Sequence, residues 1–155
     1  MPRSQRPRKP FHARKHPDPA QNRPVSDSGR LVLVLSLRTR LLALSTAAAA
    51  LGSTERGMLR QLIADLVVML AAMRELAPLF ESEQDVLAQV ERCTASLACF
   101  VTAWKAARRP AASDIEQLEA AVDAYGSMLA ETTGGEAGSA LEKAHEQLLA
   151  TGSRH

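Results

Sequence analysis

Aromatic side chains are nearly absent from this 155-residue chain, which holds only Phe11, Phe80, Phe100, Trp104 and Tyr125. A core short of rings must be filled by Leu, Ala, Val and Met, and an apolar content of 46% supplies enough of them for one globular body. Cysteine is equally sparse. Cys93 and Cys99 stand six residues apart in what reads as one helix, about 9 Å of rise, beyond the reach of a disulfide. Two free thiols fit a reducing cytoplasm, which is the expected location. After residue 24 the only prolines are Pro78 and Pro110, so long helices can run between them. Outside residues 31–37 nothing alternates apolar and polar side chains with period two, which argues against a sheet.

The signatures of chemistry are missing as well. There is no glycine-rich phosphate loop, no nucleophile motif and no pair of carboxylates on a buried stripe, so the chain reads as non-enzymatic, with no cofactor and no small-molecule substrate. His12 and His16 have i, i+4 spacing but lie among prolines with no cysteine nearby, and they read as solvated rather than as metal ligands. His145 reads as a surface residue of the last helix. Glu81, Glu83 and Asp85 cluster at a helix start, where compensation of the helix dipole accounts for them. Asp65 is the one acid among apolar neighbours, and it is expected to reach water or to pair with Arg38, Arg40 or Arg60.

What is present is a strong charge asymmetry. Residues 1–30 hold eight cations against Asp18 and Asp27, a balance of +6, and the remaining eleven cations and fifteen acids leave the body at −4. Six of the eight prolines also fall before residue 25, so residues 1–29 are expected to form a disordered basic arm. Arg3, Arg6, Arg8, Lys9, Arg14, Lys15 and Arg23 could neutralise phosphates and release counterions, making nucleic acid the first candidate partner and an acidic protein the second. Trp104-Lys105 and Arg108-Arg109 form a second basic group with an aromatic neighbour. Trp104 falls on an apolar seam, however, and cations ordinarily end helices, so that group reads as a helix terminus.

The body, residues 30–150, reads as an all-α, antiparallel four- to five-helix bundle followed by a disordered tail over 151–155. The apolar run 31–51 has the length of a membrane span, but Arg38 and Arg40 stand at its middle, and a buried first helix is preferred. Ser26, Asp27 and Ser28 offer N-cap chemistry for that helix, over about 30–51. A second helix opens near Ser53 and is ended, or kinked in its last turn, by Pro78, a third runs from a Ser82/Asp85 capping box to Pro110, and Ser113 with Glu116 caps a fourth. Gly134 and Gly135 are expected to break the chain before a short last helix capped by Ser139 and Glu142. The seam of the second helix is Leu59, Leu62, Leu66, Met69 and Met73, in a three-four alternation. Helices 1 and 2 are so poor in charge that they need a central position or an interface, so those five residues are also the expected partner or dimer surface, and the chain is expected to self-associate.

Two stretches carry a resemblance. The tail segment KPFHARKHP, residues 9–17, and the ending EAGSALEKAHEQLLA, residues 136–150, around an Ala- and Leu-rich body, resemble uncharacterised small helical proteins carried by proteobacterial phages and other mobile elements. The resemblance spans the chain loosely. It implies a helical fold and a genomic context, and it brings no activity and no site residues.

Overall fold

The computed structural model describes residues 25–46 and 53–152. Most of the basic arm, and residues 153–155 of the expected tail, lie outside the described residues. Five α-helices account for nearly all the rest: α1 (Asp27–Thr46), α2 (Ser53–Leu76), α3 (Glu83–Lys105), α4 (Ala112–Ala130) and α5 (Gly134–Gly152), with a 3-10 turn at Ala77–Leu79. The class is all-α, as expected. Residues 31–37, the one stretch whose alternation resembled a strand, lie within α1.

Helix α2 is central, packing against α1, α3, α4 and α5. Its composition requires this: between Leu62 and Met73 the only charge is Asp65, and the only exposed residue is Ala64. Leu59, Leu62, Leu66, Met69, Met73 and Leu76 are all buried. Burying each such side chain is worth about 1.5 to 3 kcal/mol, so this seam dominates the stability of the bundle. Helix α3 answers it with Val86, Val90, Cys93, Leu97, Phe100 and Trp104, all buried, and Phe100 meets Trp104 edge to face at 6.3 Å. Beyond the seam residues, Pro78 lies in the 3-10 turn that ends α2, as its missing N–H requires.

Helix α1 is attached more narrowly. Leu37, Leu41 and Leu44 enter the core, and Val34 packs so tightly against α4 that its Cγ2 lies 2.6 Å from where a Cβ on Gly126 would sit. Going up α1, Val25 N–H donates to the Thr132 carbonyl at 3.2 Å, Val34 meets Gly126, and Arg38 meets Asp123, so α1 and α4 run in opposite directions. Two ion pairs flank α1: Arg40 to Asp65 on α2 at 2.6 Å, and Arg38 to Asp123 on α4 at 3.4 Å. Each is partly exposed, and such pairs contribute about 0 to 1 kcal/mol. The leucine stripe holds the helix, and the arginines orient it.

Helix ends follow the local capping rules in some places and depart from them in others. Ser26 caps α1, its Oγ accepting from Gly29 N–H at 3.2 Å, so the helix starts at Asp27, inside the segment expected to be arm. The Ser113/Glu116 box is not the start of α4, which begins at Ala112 with Ala111 at the N-cap, directly after buried Pro110. The end of α3 closes by a Schellman motif, with Arg108 N–H to the Ala103 carbonyl at 2.8 Å and Ala107 N–H to that of Trp104 at 3.1 Å. Ala107, φ 54°, occupies the left-handed position that usually takes glycine.

The largest departure is α5. Gly134 and Gly135 do not break the chain but form the first turn of a 19-residue helix that continues to Gly152, into the expected tail. Its capping box is Thr133 and Glu136, not Ser139 and Glu142: Glu136 N–H donates to Thr133 Oγ1 at 3.2 Å, and Thr133 N–H returns to Glu136 Oε1 at 3.1 Å. A reciprocal cap of this kind offsets the cost of two glycines. The buried face of α5 is Ala137, Ala140 and Ala144, and Gln147 Nε2 donates to Glu75 of α2 at 2.6 Å.

Two measurements test this packing. Gly126→Ala places a methyl against the stiff Val34 side chain and should cost about 1 to 3 kcal/mol in urea unfolding, with much of the loss restored by adding Val34→Ala. Burial pushes the Tyr125 hydroxyl up to about 12. The unfolded chain loses that proton near pH 10, so this stabilisation is full below pH 10 and is lost as pH rises towards 12. Tyr125→Phe should flatten the fall in stability between about pH 9.5 and 11.5, an effect of at most about 3 kcal/mol.

Candidate interaction face on helix α1

Helix α1 carries more Leu and Val over residues 31–44 than its one buried stripe can hold, so several of these side chains are left in solvent. Leu31, Val32 and Leu35 are 58%, 67% and 52% exposed, and the exposure continues at Leu33 and Leu42. Successive turns bring Val32, Leu35, Thr39 and Leu42 to one side in three-four alternation, opposite the buried Leu37, Leu41 and Leu44. One helix thus carries two seams. The inner seam faces the bundle and the outer faces water. Arg38 is the charge at the margin of the outer strip, and it is engaged by Asp123. Side chains of this size exposed in contiguity mark an interaction surface more often than isolated apolar residues do.

The residues that sequence reasoning assigned to a partner are elsewhere. Leu59, Leu62, Leu66, Met69 and Met73 of α2 all lie in the core of the single chain, so the apolar surface open to a partner is on α1 instead. The reason is geometric: α2 is surrounded by four helices, whereas α1 packs against only α4 and α2 among the main helix pairs. Arg3, Arg6, Arg8, Lys9, Arg14, Lys15 and Arg23 lie outside the described residues, and their chain enters the fold at Val25, beside the first turn of α1.

The remaining candidates resolve individually. Asp65 pairs with Arg40, one of the three arginines considered for it, and also accepts from Gln61 Nε2 at 2.9 Å. Trp104 is buried. Cys93 and Cys99 are both free thiols. The Cys93 thiol donates to the Gln117 carbonyl at 3.4 Å, and burial pushes its pKa up against the opposing charge of Arg92, which keeps it protonated. His145 is exposed and its Nδ1 lies 2.8 Å from the Leu141 carbonyl, a contact in which Nδ1 must carry the proton. Among the described residues no group of three or more His, Cys, Asp or Glu could hold a metal ion, and no helix is long and apolar enough to cross a membrane.

The division between core and surface seams predicts opposite outcomes for similar substitutions. Leu35→Ser should leave the urea midpoint of the monomer within about 0.5 kcal/mol of the parent. Leu66→Ala should cost about 2 to 5 kcal/mol. Equal losses in both would show that the outer face of α1 is covered within the chain.

In comparisons with known proteins, no family model, no curated protein and no solved structure matches this chain.

Proposed function

We propose that this chain is a non-enzymatic accessory protein that pairs with a second copy of itself through the outer face of α1 and uses its basic N-terminal segment to grip nucleic acid. The observation that carries the proposal is the exposed group Leu31, Val32 and Leu35, placed directly after that segment. A strip in three-four register is the form in which helices pack on helices, and a copy of itself presents the same charge-free surface. Charge at the margin favours the same partner. Arg38 and Asp123, each about half exposed, pair with each other at the strip's border, so a second copy meets no unneutralised charge there.

Pairing also serves the basic segment. Residues 1–30 carry eight cations, and two copies joined along α1 hold two such segments within about 30 Å of each other, the length of the helix. The second segment then binds at a high effective concentration, which raises affinity without any new contact. Affinity built from phosphate neutralisation must fall steeply with salt.

Light-scattering mass with and without a short DNA duplex tests both parts. The parent should run as a dimer and bind one duplex. Leu31→Glu with Leu35→Glu should give a folded monomer, by circular dichroism, with weaker duplex binding. Deleting residues 1–24 should leave the dimer intact and remove duplex binding. A parent that is monomeric at every concentration refutes the pairing, and duplex affinity unchanged by the deletion refutes the role of the basic segment.

A further inference from the structure

A groove of about 410 Å³ opens between the start of α2 and the end of α3, lined by Arg56, Leu59, Arg60, Ile63, Val101, Trp104, Lys105 and Ala107. Its size lies within the range of small-molecule sites. The groove divides by chemistry. Leu59, Ile63, Val101 and Ala107 supply apolar surface, while Arg56 and Arg60, one turn apart on α2, face the groove together with Lys105 of α3. None of these three cations has a carboxylate partner within the described residues. Trp104 is only 8% exposed, and its indole Nε1 is buried without a hydrogen-bond partner.

Every polar side chain among the described residues lining the groove is therefore a donor. Arginine, lysine and indole have no acceptor to offer, and among the described residues no carboxylate, hydroxyl or amide side chain lines the groove to satisfy them. A buried indole N–H without an acceptor is an uncommon cost in a folded chain, and a bound acceptor removes it. The end of α3 points the negative end of its dipole towards this region, which opposes an anion. Its exposed carbonyls at Ala103 and Trp104, however, are already taken by the N–H groups of Arg108 and Ala107, and three full charges outweigh the remaining fraction. We infer that this groove binds a small amphiphilic anion, a carboxylate or phosphate on an apolar body, with Arg56, Arg60 and Lys105 holding the anionic oxygens and the aliphatic floor holding the body. Trp104 Nε1–H supplies the buried donor. The site is at the far end of α4 from the root of the basic segment, and it is independent of the pairing proposed for α1.

Trp104 is the only tryptophan, so its emission reports on the groove alone. The test titrates the full chain with decanoate and with decyl phosphate below their micelle concentrations, and with decanol and inorganic phosphate as the two halves of the ligand. Calorimetry provides a second readout. Both amphiphiles should give a saturable emission change, and each half alone should bind at least about tenfold more weakly. A response to only one amphiphile identifies the anionic group and still supports the site. Arg56→Ala with Arg60→Ala should weaken binding at least about tenfold, and Trp104→Phe, read by calorimetry, should weaken it several-fold with the fold retained by circular dichroism. Arg108→Ala, outside the groove, should change nothing. The inference is overturned if neither amphiphile saturates, if the arginine pair is without effect in a folded variant, or if binding occurs only to phosphatidylglycerol vesicles.

Discussion

A helix with one charge in its middle three turns can be stable in water only when other helices surround it. Helix α2 imposes that condition on this protein. Its seam from Leu59 to Leu76 fills the centre, α3 and α4 close one side with Phe100, Leu118, Val122 and Met128, and α5 lays three alanines against it. The scarcity of rings follows from the same condition. With small and aliphatic side chains at the contacts, helices approach closely, and at Gly126 the approach leaves no room for a methyl. Even the lone acid of the helix centre obeys it, since Asp65 is admitted only with Arg40 and Gln61 in attendance.

Periodicity makes much of this readable in the sequence. The buried positions of α2 and α3 lie where the three-four spacing puts them, because hydrophobic burial decides which face turns inward and sequence alone shows that face. Asp65 and the arginines were legible for a similar reason: an acid among apolar residues needs a cation. Helix ends were harder. Gly134 and Gly135 carry a helix-breaking propensity that the Thr133/Glu136 cap overcomes, and the start of α4 is set by Pro110 rather than by the first serine and glutamate at box spacing. Those outcomes depend on competition between local terms of about 1 kcal/mol each, which a pattern does not rank.

The interaction surfaces were the least legible, because they depend on which helix becomes central. Two charge-poor helices looked equivalent, yet α2 is enclosed and α1 is left at the edge with its second seam in solvent. The cationic groove is a product of two segments some forty residues apart. Lys105 read as an ordinary helix-ending cation and Trp104 as core, and each description is accurate locally. Only the packing of α3 on α2 places them beside Arg56 and Arg60.

The narrow attachment of α1 has a dynamic consequence. Its hold on the bundle consists of three leucines, the close fit of Val34 on α4, and two ion pairs that water screens. An element joined by so little opens locally at a low free energy, and its amides are a natural place for hydrogen exchange to begin. The remaining helices can stay assembled while it lifts, since α2 keeps its contacts with α3, α4 and α5. Anything that clamps α1 from outside would suppress that breathing, and in doing so would stiffen the point at which the cationic segment is tethered.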